Sequence, residues 1–253
     1  MRFIATADTD IGTTKNTNQD SAMIKHAMTE AGEVLMAVVC DGMGGLANGE
    51  LASATVVRAF SKWFNETLPI ELEHADMQII GLKWSNMLKD LNQKILQHGS
   101  KYGNMGTTFS GMLFIGNAYL IVHVGDTRVY QIGNRMVQLT EDQTFVAREI
   151  RNGNMTVEQA KKDRRRNMLL QCVGASKRVE PQVITGRIER GMYMICSDGF
   201  RHEVSEAELF QSLHAANFAD KQAMHGKARY LIDLVKSRGE RDNISVVLIK
   251  ADQ

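Results

Sequence analysis

The sequence predicts an α+β protein in which helices pack against β-sheets. Nine short segments are rich in β-branched and aromatic residues and are bounded by Gly, Asn or Asp, which is typical of strands. Two long segments instead carry apolar residues at helical spacing, so that each has one apolar stripe. Because such a stripe needs an apolar surface to cover, we expect sheets flanked by helices.

The elements follow in order along the chain. The predicted strands are residues 2–8, 21–27, 33–40, 107–115, 118–125, 128–132, 136–139, 192–196 and 245–250. The predicted helices are residues 49–67, 76–98, 206–215 and 221–237, and the polar stretch 143–175 is predicted to be mostly helical. Gly116 and Asn117 lie between two strand-like runs and predict a hairpin turn.

Composition restricts the domain organisation and the class of partner. The chain has 253 residues, of which 43% are hydrophobic, and it contains only two prolines. These values predict one compact domain over residues 1–253 rather than two tethered ones. The formal net charge of +1 gives no electrostatic reason to expect binding to nucleic acid or to an anionic membrane.

Cysteine usage and the first residues indicate a cytoplasmic protein. Cys40, Cys172 and Cys196 form an odd set, which argues against a disulfide framework. The first eight residues are too short and too quickly polar for a secretory signal. The stretch 102–125 lacks Asp, Glu, Lys and Arg, but its glycines and asparagines argue against a transmembrane helix.

One charged run leaves two interpretations open. Residues 161–166 read Lys-Lys-Asp-Arg-Arg-Arg. Such a run is usually the solvated face of a helix, and it can also be a docking edge for an anionic partner.

Aspartates at the ends of predicted strands are the most informative feature of the sequence. Asp41, Asp126 and Asp198 closely follow apolar runs, whereas Asp20 and Asp242 precede such runs. A strand end is a rigid platform, and several carboxylates cannot crowd together there without a cation. Carboxylate oxygens are hard ligands that suit Mg²⁺ or Mn²⁺. Because Asp-Gly is also a common turn, the pattern alone leaves a divalent-metal enzyme and a set of structural turns equally open.

Around these aspartates the sequence resembles the metal-dependent serine/threonine protein phosphatases of the type 2C (PPM) family, in their bacterial form. The motifs follow the family's order over nearly the whole chain: Thr6-Ala-Asp-Thr-Asp-Ile-Gly, Asn18-Gln-Asp, Asp41-Gly-Met-Gly-Gly, Gly106-Thr-Thr, Gly125-Asp-Thr-Arg, Cys196-Ser-Asp-Gly and Arg241-Asp-Asn. The resemblance implies a four-layer αββα sandwich of two antiparallel β-sheets flanked by helices.

The resemblance also implies a site for two Mn²⁺ or Mg²⁺ ions, with a third in some bacterial members. Its ligands would be Asp41, the Gly42 carbonyl, Asp198, Asp242, Asp20 through metal-bound water, and Asp126 with Asp198 at the third ion. A hydroxide bridging two ions would attack phosphoserine or phosphothreonine. The four catalytic aspartates would be Asp41, Asp198, Asp242 and Asp20. All seven histidines are expected to be surface or packing residues.

The implied partners are phosphorylated proteins and a cognate serine/threonine kinase, and we expect a monomer. Two alternative functions use the same fold. One is a catalytically weak or inactive regulatory or binding module, and the other is a hydrolase of small phosphate esters.

Some positions depart from the family's pattern. Lys15 stands where an arginine usually binds the substrate phosphate, so one ammonium would replace a bidentate guanidinium. Met43 stands where many eukaryotic members carry histidine, which leaves leaving-group protonation to water or another group. Residues 143–175 correspond to the family's flap beside the cleft, but Gln143 and Asp163 stand where histidines are frequent.

Overall fold

The computed structural model describes residues 1–30, 32–43 and 48–252. Within these residues the strands are β1 (Arg2–Asp10), β2 (Ser21–Thr29), β3 (Gly32–Cys40), β4 (Phe109–Ile115), β5 (Ala118–Val124), β6 (Arg128–Ile132), β7 (Met136–Gln138), β8 (Gln182–Arg187), β9 (Gly191–Cys196) and β10 (Ile244–Asp252). The helices are α1 (Gly49–Glu66), α2 (Leu68–Glu71), α3 (Met77–Tyr102), α4 (Phe145–Arg151), α5 (Val157–Lys162), α6 (Glu206–Leu213) and α7 (Lys221–Ser237).

The strands form two five-stranded sheets. The first has the order β1-β10-β9-β6-β7 and the second has the order β2-β3-β4-β5-β8. Every neighbouring pair in both sheets is antiparallel. The expected antiparallel sheets are therefore confirmed.

Successive side chains of a strand face opposite sides of its sheet, and the apolar core is therefore divided into three layers. In β3, Leu35, Ala37 and Val39 belong to the cluster between the two sheets, whereas Met36 and Val38 face the cluster under α1 and α3. This is the side-chain period of two that a strand imposes. A third cluster lies between the first sheet and helices α6 and α7. Three apolar layers between four layers of secondary structure make the αββα sandwich that the motifs implied.

Aromatic packing fixes α1 and α3 to the second sheet. The Trp84 ring of α3 makes edge-to-face contacts with Phe60 and Trp63 of α1, at centroid distances of 4.9 and 5.2 Å. Phe60 also lies 4.3 Å from Phe109 at the start of β4. Such pairs add to the free energy of apolar burial, and here they hold two helices and one strand end in a fixed arrangement.

Two expectations about secondary structure are wrong. Strand β8 is missing from the predicted set, although it pairs with β5 along the edge of the second sheet. Residues 143–175 are not mostly helical, because only the short helices α4 and α5 form there and the rest is turn and extended chain. The hairpin turn at Gly116 and Asn117 is confirmed, since Ile115 pairs with Ala118 across it.

No helix in the described ranges is long and apolar enough to cross a membrane. The uncharged stretch 102–125 that raised the question begins at the last residue of α3 and continues into the β4–β5 hairpin.

Candidate active site and metal centre

Strand register in the second sheet brings Asp20 and Asp41 together. Strand β2 begins at Ser21, which pairs with Cys40, the last residue of β3. Asp20 and Asp41 therefore flank the same rung of the ladder. The Asp41 backbone is fixed further by Thr108, whose N–H donates to the Asp41 carbonyl at 2.8 Å and whose hydroxyl accepts from the Asp41 N–H at 2.9 Å.

Register in the first sheet brings the other three aspartates to a common edge. Cys196, the last residue of β9, pairs with Val246 of β10 and with Arg128 at the start of β6. Asp198 lies just beyond β9, while Asp242 lies just before β10 and Asp126 just before β6.

Asn243 ties the loops of the two sheets together. Its side-chain oxygen accepts from the Gln19 N–H at 2.9 Å, and its side-chain nitrogen donates to the carbonyls of Ile11 and Thr17 at 2.8 and 3.2 Å. Asn243 is almost completely buried. The loop that carries Asp20 is thereby held against the loop that carries Asp242.

Two glycines allow the loops to approach this closely. A Cβ at Gly199 would overlap the carbonyl oxygen of Asn243, and a Cβ at Gly42 would overlap the carbonyl of Gln19 and lie 2.7 Å from that of Gly49. Real Cβ atoms do not tolerate backbone atoms at such distances, so only glycine fits here. The Asp-Gly pairs serve close loop packing at this edge.

Asp41 is a buried carboxyl group on which the charges of the other four aspartates act. Burial, followed by the charges of Asp20, Asp198, Asp126 and Asp242, raises the pKa of Asp41 well above its usual value. Like charges disfavour ionisation only over a short range. The strand ends that carry the five aspartates are therefore close enough for their charges to act on Asp41.

Asp20 carries the clearest sign of a missing partner. Both of its carboxylate oxygens are buried without a hydrogen bond. Burial raises the pKa of Asp20 to about 7; the nearby hydroxyls of Ser245 and Ser197 oppose this rise, and the charges of Asp198 and Asp242 add to it. Those hydroxyls are close enough to act electrostatically, but neither makes a hydrogen bond of normal geometry. A buried carboxylate in this state is one that a cation would stabilise.

Lys15 points into the same cluster. Its Nζ lies 2.7 Å from Asp242 Oδ1. Partial burial lowers the pKa of Lys15, but the hydrogen bond to Asp242 and the charges of Asp242, Asp41 and Asp198 raise it overall. The side chain expected to bind substrate phosphate is therefore inside the site, where it neutralises one of the expected metal ligands.

Asp126 faces a second cation, Arg201. Arg201 Nη2 lies 4.0 Å from Asp126 Oδ2 and donates to the Asp126 carbonyl at 3.2 Å. Burial and the charge of Asp198 raise the pKa of Asp126 to about 7, although Arg201 opposes this shift. A third ion at Asp126 would have to share that carboxylate with Arg201.

Sequence reasoning missed three residues of the site: Arg201, His202 and Glu240. His202 lies between Asp198 Oδ2, at 3.7 Å from Nε2, and Glu240 Oε2, at 3.5 Å from Nδ1. Glu240 Oε1 accepts the backbone N–H groups of Arg241 and Asp242 at 2.7 and 2.8 Å. At least one histidine is thus a neighbour of the aspartates. Their sequence position could have indicated Arg201 and His202, because both closely follow Asp198.

The donor set fits hard divalent cations, although the side chains do not enclose one as they stand. Over the described ranges, no three His, Cys, Asp or Glu side chains form a group that could hold an ion in the present arrangement. Asp242 is turned towards Lys15 and Asp126 towards Arg201. The fit rests on the unpartnered Asp20 carboxylate and on an all-oxygen donor set. Gly44 and Gly45 of the second motif lie outside the described residues.

A separate cavity plays no part in this site. It has a volume of about 660 Å³ and lies between β1, β2 and the start of α7, where Ala5, Thr6, Ile24 and His225 are among its lining residues. None of the five aspartates lines it.

The αββα sandwich and the aspartates gathered at one edge define the class of metal-dependent phosphatases. The family model described as protein phosphatase 2C matches residues 12–231. The chain belongs to that family.

Relatives and solved structures agree with this assignment. The serine/threonine phosphatase stp of Listeria monocytogenes is 28% identical, with 92% of this chain and 94% of that protein covered. The structure of the S. agalactiae serine/threonine phosphatase has a TM-score of 0.86 and 28% identity, with 99% and 100% of the two chains covered. The catalytic domain of the phosphatase PstP, solved in complex with two manganese ions, has a TM-score of 0.76 and 26% identity, with 98% and 97% covered.

Proposed function

We propose that this protein hydrolyses phosphoserine and phosphothreonine in other proteins, using divalent metal ions held at the aspartate edge. The observation that carries the proposal is the buried Asp20 carboxylate, which has no hydrogen-bond partner and lies at the same end of the β2–β3 ladder as Asp41. Buried carboxylates without a cation lower the free energy of unfolding, and an inactive regulatory module would have no use for them.

Each residue has a role in the proposed centre. Asp41, the Gly42 carbonyl, Asp198 and Asp242 would hold two ions, and Asp20 would bind through water. When bound, such ions activate a water for in-line attack and offset the charge of the phosphoryl group. Lys15 would then exchange Asp242 for the substrate phosphate, since the ion would take over the carboxylate. Asp126 is the candidate ligand of a third ion.

Covalent catalysis by cysteine has no support in this site. Cys40, Cys172 and Cys196 are all buried. Burial raises the pKa of the Cys196 thiol to about 12, and it also raises the pKa values of the Cys40 and Cys172 thiols. A thiol with a raised pKa is a poor nucleophile because the thiolate is the reactive form.

Turnover of two substrates tests the proposed function. With Mn²⁺ or Mg²⁺ present, we expect hydrolysis of both a phosphothreonine peptide and p-nitrophenyl phosphate, with higher kcat/KM for the peptide. Hydrolysis should stop when the metal is chelated and return when it is restored. Metal binding without turnover of either substrate would reject the enzyme in favour of the regulatory module. Turnover of the small ester alone would favour a small-molecule hydrolase.

Replacing Lys15 with alanine is expected to raise KM more than it lowers kcat. An ammonium that binds the phosphate contributes to substrate affinity, and we expect KM to rise by about tenfold, equivalent to ~1.4 kcal/mol. Steady-state kinetics at saturating Mn²⁺ make the measurement, with Lys94→Ala on α3 as the control. An unchanged KM together with tighter Mn²⁺ binding would make Lys15 only an ion-pair partner of Asp242.

Several finer properties complete the proposal. We propose a cytoplasmic enzyme, supported by three free, buried cysteines. We also propose that residues 1–253 act as one monomeric catalytic domain with a flap at residues 143–175, and that a serine/threonine kinase supplies its substrates.

A further inference from the structure

Positive charge is concentrated in the flap, here defined as residues 143–175. This segment contains seven lysines and arginines against three acidic residues, whereas the whole chain has a net charge of only +1. The remainder of the molecule is therefore slightly acidic. Such asymmetry predicts attraction between the flap and anionic partners.

The acidic residues of the flap are already paired. Glu149 contacts Arg148 at 3.1 Å, and Glu158 contacts Lys161 at 2.8 Å. Asp163 contacts Arg165 at 2.8 Å through its side chain.

Three basic side chains are left without a carboxylate partner. Lys162, Arg164 and Arg166 are exposed, and within the described part of the chain none of them forms an ion pair. The only hydrogen bond that these three side chains make there runs from Arg166 Nη1 to the Lys161 carbonyl at 3.3 Å.

Backbone hydrogen bonds hold the two ends of the flap beside the aspartates. The Gln143 N–H donates to the Gly125 carbonyl at 2.8 Å, directly before Asp126. At the other end, the N–H groups of Val173 and Thr107 donate to each other's carbonyls at 2.8 and 2.9 Å. The Thr107 hydroxyl donates to the Asp41 carbonyl at 2.9 Å.

Two exposed apolar side chains lie in the sequence between Arg166 and Val173. Met168 is 51% exposed and Leu170 is 39% exposed. Their backbones are fixed because the Met168 carbonyl accepts from Phe145 at 2.8 Å and the Leu170 N–H donates to Gln143 at 2.7 Å. Along the chain these two apolar side chains therefore lie between the three unpaired cations and the end of the flap that is bonded to Thr107.

We propose that this flap surface, formed by Lys162, Arg164, Arg166, Met168 and Leu170, binds acidic residues that flank the phosphorylated residue of protein substrates. The inference rests on the proposed phosphatase function and adds the class of sequence that the enzyme selects. Charge complementarity identifies the occupant, because a segment rich in Asp or Glu is what three unpaired cations attract. A solvated flap face without a partner is the competing interpretation.

Matched phosphothreonine peptides test the proposal. Three peptides would carry acidic, neutral or basic residues on both sides of the phosphothreonine. At low ionic strength, we expect kcat/KM for the acidic peptide to exceed that for the neutral one by about tenfold, which is the sum expected of three exposed charge pairs. Exposed charges are screened by salt, so the preference should shrink at high ionic strength.

Removing the three flap charges tests whether the flap causes the preference for the acidic peptide. The triple variant Lys162→Gln, Arg164→Gln, Arg166→Gln should lose the preference for the acidic peptide and retain wild-type turnover of p-nitrophenyl phosphate. The control variant Lys94→Gln, Lys101→Gln, Lys221→Gln removes the same charge from α3 and α7 and should keep the preference.

Three outcomes would overturn the docking proposal. Equal kcat/KM for all three peptides is the first, and a preference that survives in the flap variant is the second. The third is loss of the preference for the acidic peptide in both triple variants, which would show a general effect of net charge. If no peptide and no p-nitrophenyl phosphate is hydrolysed by the wild type with metal, the phosphatase function itself has failed.

Discussion

Asp198→Asn is expected to abolish metal-dependent hydrolysis while stabilising the protein in the absence of metal. The substitution would keep the shape of the side chain and remove its charge. Activity on p-nitrophenyl phosphate with Mn²⁺ should fall by about 10³-fold or more, since the loss of even one stabilising donor at a reacting group costs about 10²–10³-fold. Asp41→Asn should behave in the same way.

The stability gain follows from repulsion within the cluster. The charge of Asp198 helps to raise the pKa values of Asp20, Asp41 and Asp126. Above pH 7, where Asp20 and Asp126 are ionised, removing the Asp198 charge relieves this repulsion. A gain of about 1 kcal/mol would raise the Tm of a chain of this size by about 2–4 °C.

With metal bound, the wild type should become more stable than the Asp198→Asn variant. At 100 times its Kd, an ion that binds only the folded protein contributes about 2.7 kcal/mol, so Mn²⁺ should raise the wild-type Tm by about 5–10 °C. The Asp198→Asn variant should show little of this shift. Thermal unfolding with and without Mn²⁺ makes the comparison.

Asp90→Asn on α3 removes an exposed charge outside the cluster and serves as the control. It should keep both wild-type activity and the wild-type thermal shift. Full activity in Asp198→Asn, or an undiminished thermal shift, would show that Asp198 is not a metal ligand.

The position of the five aspartates beside strand ends could be predicted because its signals are local. Each of these aspartates adjoins an apolar run whose strand character depends only on nearby residues. Asp41 and Asp198 are also followed by glycine, and Gly42 and Gly199 prove to be where backbone from another loop packs. Strand ends, glycines and charge thus indicated the same positions.

Strand β8 could not be predicted because tertiary contacts determine it. Its six residues include Gly186, which weakens a strand signal. The structure explains that glycine, since a Cβ at Gly186 would overlap the Tyr119 ring on the neighbouring strand. The pairing partner, β5, is more than fifty residues earlier in the sequence.

The charged neighbours of the aspartates were missed for a related reason. Arg201 reaches Asp126, and His202 reaches Glu240, across separations that no short motif spans. The flap was misjudged differently, because its polar composition was taken as helix. In the structure its first and last segments are joined by the hydrogen bond from Leu170 to Gln143, and Thr156 caps the short helix α5 between them.

Acid is expected to destabilise the protein through His123, a fully buried side chain. His123 Nδ1 is 2.8 Å from the Ser110 hydroxyl, and Nε2 is 3.1 Å from the Glu141 carbonyl. A neutral ring that donates from Nε2 and accepts at Nδ1 satisfies both contacts. The network links β4, β5 and the chain that enters the flap.

Burial lowers the pKa of His123 to about 4, although the charge of Asp142 and the neighbouring carbonyls oppose the shift. In the unfolded chain the same group titrates near its ordinary value of 6.5. The unfolded state therefore binds more protons between these two pH values. Stability from the neutral histidine is complete above pH 6.5 and falls as the pH drops towards 4. The total loss is about 3 kcal/mol.

The quantity to measure is the difference in unfolding free energy between the wild type and His123→Gln. Asp20 and Asp126, with pKa values of about 7 in the metal-free protein, gain stability from protonation as the pH falls, so the wild-type curve alone mixes opposite contributions. Subtracting the pH dependence of His123→Gln from that of the wild type removes the shared terms, and His98→Gln on α3 is the control. The difference in unfolding free energy should change by about 3 kcal/mol between pH 6.5 and 4. A flat difference, or an NMR titration of His123 near pH 6.5, would contradict the buried neutral state.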